Sequence, residues 1–340
     1  MNNRAIDTGY GWTKYTTGHM TRQDDKLNIN VGAFQSLPFV TRASLDAPSM
    51  GKKVTTITVK VNGVTYQVSD NPGPIAPKSS TRVRGESYTQ SDAYGICMCA
   101  AVKAMNVDSI NHLVVGTPVS NFESAKRVLL ERFGSGIKFD DKDVAIGTLH
   151  VMAQPVGGLV WHFLSSQRQS ELNKRRRLLV DIGYGTLDWV VATGLTTNSE
   201  RSDSAEFGVS KFIDFVAEEI KGGRSGIGED IELYEEIDAL LTRDVSFTYR
   251  GKKWSREFFS DAIERIAGEG VQRILASTGD IGLFDSVVLM GGGSRLYQSA
   301  LHKIFHPIPV ELVAESRFAN VRGFQLIAEH QAHAPARRQP

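Results

Sequence analysis

The sequence has almost no cysteine, no field of one charge sign and no long apolar run, and each absence removes a class of protein. Only Cys97 and Cys99 occur in 340 residues. They lie in the apolar stretch 93–103 with no second Cys/His pair nearby. That pattern argues against a metal or redox centre and reads as two small buried hydrophobes in a reducing compartment. Lys and Arg number 39 against 38 Asp and Glu, a formal net charge of +1. Such a balance advertises neither nucleic acid nor an anionic membrane as a partner. No uncharged apolar run reaches membrane-spanning length, and the opening Met-Asn-Asn-Arg-Ala-Ile-Asp has no apolar signal core,. The expectation is a cytoplasmic protein with no membrane contact, whose contact with DNA is local or made through another protein.

What the chain does have is repetition built on glycine. Asp7-Thr8-Gly9-Tyr10-Gly11-Trp12-Thr13-Lys14 and Asp181-Ile182-Gly183-Tyr184-Gly185-Thr186-Leu187-Asp188 are near copies. Each predicts a strand, a glycine turn and a second strand. A chain long enough for two cores that makes the same hairpin twice predicts two related lobes with a ligand held by the turns.

The hairpin residues suit a nucleotide phosphate. Glycines remove Cβ atoms, so backbone N–H groups can close around phosphate oxygens. A carboxylate beside phosphates repels them unless a cation intervenes, so Asp7 and Asp181 read as holders of Mg²⁺, through its waters. Lys14 offers a point charge to the β- and γ-phosphates, and Thr13 and Thr186 offer hydroxyl donors. A third cluster, Gly291-Gly292-Gly293, lies between an apolar strand and a helix, where bare backbone can lie flat against a base or ribose.

Between these motifs the pattern is α/β. Residues from about 20 to 85 mix Pro, Gly, Ser and Thr with alternating segments 54–61 and 64–68 around Asn62-Gly63, a hairpin signal within a small β-rich insertion,. Helices are expected over 91–105, 122–133 and from about 158 through Trp161 to Leu172. Further helices are expected over 206–220, opened by Glu206 and Lys211, then 256–275 and 296–305. Strands are expected over 112–116, 144–153, 178–181 and 287–290. Arg175-Arg176-Arg177 reads as a solvated strand entrance. The interval 222–251 reads as a glycine-rich loop, an acidic helix and a short strand pair. The tail from His330 lacks an apolar face and reads as disordered.

Two Asp-x-Gly-x-Gly hairpins, a Gln154-Pro155 element between them and a Gly-Gly-Gly turn, in that order, resemble the actin-type ATPase superfamily of actin, sugar kinases and heat-shock chaperones. Val115-Gly116-Thr117-Pro118-Val119, the Gln154 to Gly158 stretch and Phe318-Ala319-Asn320-Val321-Arg322-Gly323-Phe324 most resemble its ParM/StbA branch of plasmid-segregation actins, with the PRTRC system protein D group the closest fit. The resemblance implies an α/β, two-lobed actin-like (ribonuclease H-like) ATPase fold with a small β-rich inserted subdomain. It implies lobe I over 1–172 with the insertion at about 20–90, lobe II over 173–317, a helix over 318–329 returning to lobe I, and a disordered tail over 330–340.

It also implies ATP and Mg²⁺ as cofactors and a division of labour. Gly9, Tyr10, Gly11, Thr13, Lys14, Gly183, Tyr184, Gly185 and Thr186 would bind phosphates, with Asp7 and Asp181 on the metal. Gly291, Gly292, Gly293 and Arg295 would form the adenosine turn, and Glu206 and Lys211 would reach the ribose or adenine. Gln154 would orient the attacking water and, with Asp181, carry hydrolysis. Asn320 to Gly323 reads instead as a packing device, its glycine admitting a helix to the first-lobe sheet.

The implied function is an ATP-dependent head-to-tail filament that segregates plasmid DNA through a DNA-binding adaptor on a centromere-like site, with no direct nucleic-acid contact. A sugar-type kinase, or a non-polymerising ATPase switch, is the alternative on the same scaffold. The kinase would need a carboxylate base aimed at a substrate hydroxyl, where this sequence presents Gln154.

Overall fold

The computed structural model describes residues 2–24, 26–40, 55–77, 79–172, 175–223 and 230–333. Val54, the glycine-rich loop 224–229 and the tail beyond His333, all read above, lie outside the described residues. Contacts divide the chain into two units, one of residues 1–117, 123–152 and 324–340, the other of 118–122 and 153–323.

The first unit is built on a six-stranded sheet. Its strands are β1 (Asn3–Thr8), β2 (Trp12–Gln23), β3 (Lys26–Gln35), β7 (Ser109–Thr117), β8 (Gly136–Phe139) and β9 (Lys142–Ala153), in the order β3-β2-β1-β7-β9-β8. Every residue of β1 is buried, as a central strand covered on both faces requires,. It runs antiparallel to β2 and parallel to β7. Helix α1 (Asp92–Met105) is apolar nearly all round and buried, with Ser91 capping the Tyr94 amide; α2 (Phe122–Phe133) follows β7,. Cys97 and Cys99 lie inside α1, and burial pushes their thiols up to about 12 and about 11, which makes them inert,.

The separate small sheet is shorter than the sequence suggests. Strands β2 and β3 belong to the large sheet, and only β4 (Phe39–Val40), β5 (Thr56–Val61) and β6 (Val64–Ser69) form the three-stranded one. Its β5–β6 turn is Asn62-Gly63 with both residues at positive φ, as the dipeptide predicts,.

The second unit repeats the plan. Here α3 (Gln154–Ser165) and α4 (Gln169–Leu172) precede β10 (Arg176–Ile182), β11 (Leu187–Thr193) and β12 (Thr196–Ala205). Then come α5 (Val209–Lys221), α6 (Ile231–Arg243), the strand pair β13 (Phe247–Tyr249) and β14 (Lys252–Trp254), and α7 (Ser260–Thr278). The chain continues through β15 (Ser286–Met290), α8 (Ser294–Phe305), β16 (Val310–Leu312) and α9 (Ala319–His333). The sheet order is β12-β11-β10-β15-β16, with β10 antiparallel to β11 and parallel to β15. Thus β10 stands to its neighbours as β1 stands to β2 and β7. The face of α5 packed in the core is Val209, Phe212, Ile213, Val216, Ala217 and Ile220, the 3.6-residue stripe of an amphipathic helix,. Residues of α9 from Phe324 onward belong to the first unit, where Gln325 donates to the Asn3 carbonyl and Asn3 donates to Glu329.

Four sequence expectations change. The single helix expected through to Leu172 begins at Gln154 itself and stops at Ser165, with α4 a separate short turn. The tail is helical as far as His333. Gly323 admits α3, not the first-unit sheet: a Cβ there would stand 1.7 Å from the Gly157 carbonyl oxygen. Arg177 is no solvated entrance. It is 1% exposed, stacks 4.3 Å from the Phe163 ring centre and donates to the Glu171 carbonyl at 2.7 Å, and burial lowers its pKa,.

Beside it lies an ion network with a pH signature. Glu311 on β16 accepts from His162 Nε2 at 3.1 Å and Arg168 Nη1 at 2.7 Å, while Arg168 grips Glu171 through two bonds of 2.7 Å. Those donors, His162 foremost, hold the Glu311 carboxyl at about 2, below the unfolded value,. A depressed carboxyl stabilises the fold above its unfolded pKa and loses that contribution as pH falls through the folded one. Allowing for solvent screening of a partly exposed group, the contribution is about 2 kcal/mol. In urea unfolding, wild type should exceed Glu311→Gln in stability above about pH 5, with the gap closing toward pH 2. A gap that does not change with pH would remove Glu311 from the acid limb.

Candidate functional site

In the first unit the hairpin turn beyond the paired Thr8 and Thr13 is residues 9–12, closed by the Gly9 N–H donating to the Trp12 carbonyl at 3.1 Å. The Ser36 N–H takes the Gly11 carbonyl at 3.0 Å. Gly9 is part-exposed, whereas Gly11 is buried and the Tyr10 side chain is packed, its ring 5.0 Å from that of Tyr88 and its hydroxyl on the Gly85 carbonyl. Tyr10 therefore has its backbone, not its ring, to offer a ligand. Asp7 is 1% exposed and pairs across the strands with Lys14, Nζ to Oδ2 at 2.9 Å. The carboxylate read as a metal holder and the cation read as a phosphate partner are thus partners of each other.

Thr13 corrects the sequence reading. It is 0% exposed and its hydroxyl meets that of Ser36 at 2.8 Å, so it is not presented as a phosphate donor. Strand alternation explains this: Lys14 shares a face with Asp7, so Thr13 faces the opposite way,.

In the second unit the loop of residues 183–186 is the same turn, closed by the Gly183 N–H on the Thr186 carbonyl at 2.9 Å. Three carbonyls of this loop are taken by the first turn of α5. Val209 donates to Gly183 at 3.0 Å, Ser210 to Tyr184 at 2.7 Å and Gly208 to Gly185 at 3.3 Å. Because each peptide is planar and trans, a carbonyl turned toward α5 turns the following N–H the other way. The amides of Tyr184, Gly185 and Thr186 therefore face away from the helix, as an anion-binding loop requires. Thr186 Oγ1 donates to Asp188 Oδ2 at 2.5 Å. Asp188, in the register position that Lys14 holds in the first hairpin, also accepts from the Ser204 hydroxyl and the Val119 amide.

Asp181 is the penultimate residue of β10, 4% exposed, and accepts from Asn320 Nδ2 at 2.6 Å. The glycine turn closes over it. Gly291 has φ +91°, and a Cβ there would stand 2.3 Å from Asp181 Oδ1. Gly293 packs on the Ile182 and Val209 side chains and donates to the Ile182 carbonyl at 3.0 Å. Of the turn residues named from sequence, Gly292 and Arg295 are exposed, while Gly291 and Gly293 fit the turn against β10. Glu206 and Lys211 are exposed, but Glu206 precedes α5 instead of opening it; Lys211 Nζ stands 5.6 Å from the Phe207 ring centre. Gln154 is the first residue of α3 and buried, with Pro155 in the position where a helix tolerates it,.

Sequence reasoning missed Gly208, Asp188 and Asn320. A glycine directly before a periodic apolar stretch is a helix-start signal for the first, and the even spacing of Thr186 and Asp188 hints at the second. Nothing local marks Asn320 as a partner of Asp181.

The donor set fits magnesium. Among the described residues no group of three or more His, Cys, Asp or Glu converges on a metal. Mg²⁺ does not ask for one, since it keeps several waters and takes one or two carboxylates with the substrate's phosphates. The space that a Cβ on Gly291 would fill lies at Asp181 Oδ1, and leaving it open suits an Asp that acts through a hydrated ion. Among the described residues no helix is long and apolar enough to cross a membrane.

Comparison with known proteins places this geometry. Residues 5–157 match the family model "Actin like proteins N terminal domain", and residues 179–303 match "Archaeal actin homologue MreB-like, C-terminal". No curated protein matches the chain in sequence. Among solved structures, the archaeal actin homologue Ta0583 in complex with ADP is similar with TM-score 0.73 and 19% identity, over 97% of this chain and 100% of that one. A 15-stranded ParM filament from Clostridium botulinum gives 0.72 and 19% over 97% and 100%. Bacillus thuringiensis ParM with AMPPNP gives 0.60 and 14% over 98% and 99%. The two matched domains follow each other in order and the fold extends over nearly the whole chain: this protein is an actin-like protein of two α/β domains.

Proposed function

We propose that the chain is a Mg²⁺-dependent ATPase that assembles head to tail into dynamic cytoplasmic filaments and segregates plasmid DNA through a DNA-binding adaptor. The observation that carries the nucleotide reading is the second hairpin, whose carbonyls are spent on α5 so that its amides face outward, beside a buried Asp181. The first hairpin repeats the turn and adds the Asp7–Lys14 pair. ATP would have Gly292 and Arg295 on its adenosine side and Glu206 and Lys211 toward its ribose or base. Asp7 and Asp181 would hold Mg²⁺, which would neutralise phosphate charge. Similar chains are described with ADP or AMPPNP and as a ParM filament, which supports both nucleotide and assembly. A heterologous contact that does not close on itself gives such a polymer.

Gln154 would orient the attacking water. A neutral amide orients water without taking its proton, so turnover should be slow until assembly compresses the site. The test is sedimentation with Mg-ATP. Wild type should pellet and then disperse as ADP accumulates, while Gln154→Ala should bind nucleotide, turn over about 10-fold to 100-fold more slowly and stay pelleted longer. Turnover with no concentration-dependent pellet, raised by added sugar, would favour the kinase. Undiminished turnover in Gln154→Ala would remove that residue from the mechanism.

A further inference from the structure

We propose that Asn320 is a positioning residue of the nucleotide site, one that aims the Asp181 carboxylate and keeps it in register with the helix that begins at Gln154. The proposal rests on the reading of Asp181 and Gln154 given above and adds a residue outside every glycine motif.

Asn320 lies in the first turn of α9 and is 5% exposed. Its Nδ2 donates to Asp181 Oδ2 at 2.6 Å, a charge-assisted hydrogen bond to the strand end that carries the site,. Its other end, Oδ1, is buried and has no partner among the described residues. An asparagine kept only for packing would be replaced by an apolar residue of its size without leaving that oxygen orphaned. The orphaned oxygen is accounted for if the donor on Asp181 is what matters. Rotating the amide would satisfy nothing, because oxygen would then face a carboxylate oxygen.

The rest of the first turn fixes where that donor stands. A Cβ on Gly158 would meet Met290 Sδ at 2.1 Å and Asn320 Oδ1 at 2.9 Å, so glycine there is what lets α3, β15 and α9 converge on one point. Met290 is itself the parallel partner of Asp181 in the sheet. One turn further along α9, Gly323 meets the Gly157 carbonyl. Two adjacent glycines of α3 thus receive two residues of α9, spaced by three. The same crossing sets Asp181 through Asn320 and sets the start of α3, where Gln154 stands. A hydrogen-bond partner of a metal-side carboxylate acts by orienting it, so its removal should be read in metal dependence and turnover before it is read in nucleotide affinity.

The experiment compares wild type, Asn320→Ala and Asn320→Ser in Mg²⁺-dependent ATP turnover and in ADP binding by titration calorimetry, with each variant's thermal unfolding as the fold control. Asn320→Ala should bind ADP within about threefold of wild type, need more Mg²⁺ for half-maximal turnover, and turn over 10–100-fold more slowly, on the order found for such supporting residues. Asn320→Ser keeps a short hydroxyl donor, is the variant to read if the alanine chain fails to fold, and should recover part of the loss. Turnover and Mg²⁺ dependence within about twofold of wild type in a folded variant, a change too small for a supporting residue, overturn the positioning role while leaving the ATPase reading intact. Absence of Mg-nucleotide binding by the wild-type chain overturns the ATPase reading, and this role with it.

Discussion

Replacing Asp181 by alanine should lower ATP turnover on the order of 10²–10³-fold while ADP binding stays within about threefold of wild type. The asymmetry follows from which groups touch what. The diphosphate would be held by backbone amides of the 183–186 loop, whose geometry is fixed by α5 through the carbonyls of Gly183, Tyr184 and Gly185 and does not depend on Asp181. The carboxylate matters where charge develops on the transferring phosphoryl group and a cation must be held against it. Alanine also strands the Asn320 amide in a buried position, which should destabilise the fold by about 1–3 kcal/mol. The melting temperature therefore falls, and turnover has to be measured well below it. Phosphate release under single-turnover conditions, paired with ADP calorimetry, separates the two effects. Wild-type release rates in the folded variant would show that the geometry of this strand end serves something other than hydrolysis.

What could be read beforehand was local chemistry in chain order. The duplicated Asp-x-Gly-x-Gly hairpins, the Asn62-Gly63 turn and the glycine turn after β15 each announce themselves within a few residues, and the structure has them as four-residue loops, a turn of positive φ and a strand-to-helix bend. Helix α2 was legible to the residue because its apolar positions recur with helical spacing,. What stayed hidden depends on distant partners. Arg177 reads as solvated because its neighbours in sequence are charged, yet β10 is a central strand, and only the fold brings Phe163 and the Glu171 carbonyl to its guanidinium. Thr13 is a different kind of miss: its orientation was available from strand parity, since a residue beside Lys14 cannot share a face with both Lys14 and Asp7,. Asn320 is separated from Asp181 by 139 positions, and no periodicity spans such a gap.

Gly208→Ala should be among the most damaging single substitutions in the second unit, costing about 3 kcal/mol or more, although its backbone conformation is one that alanine adopts freely. Gly208 has φ −72° and ψ −175°, so no left-handed strain is involved. The obstacle is space: a Cβ would stand 2.5 Å from the Gly185 carbonyl carbon and the Tyr184 carbonyl oxygen, and 2.6 Å from the Thr186 nitrogen. All three are backbone atoms of the loop itself, so no side chain can swing aside, and either α5 withdraws or the loop does. Withdrawal breaks the bonds from Gly208, Val209 and Ser210 that turn the loop carbonyls inward, and with them the outward set of the amides,. The substitution should therefore weaken ADP binding at least about tenfold as well as lower stability, because loss of even one or two charge-assisted amide bonds is of that size. Gly222→Ala is the matched control: it sits at the other end of α5 with φ +68° and nothing within 4 Å of its would-be Cβ. That change should cost about 1 kcal/mol through backbone strain alone and leave ADP affinity where it was. Urea unfolding and ADP titration on the pair decide the matter. Equal binding by the two variants would mean that the contact between α5 and the loop does not set the amides that the nucleotide reading depends on.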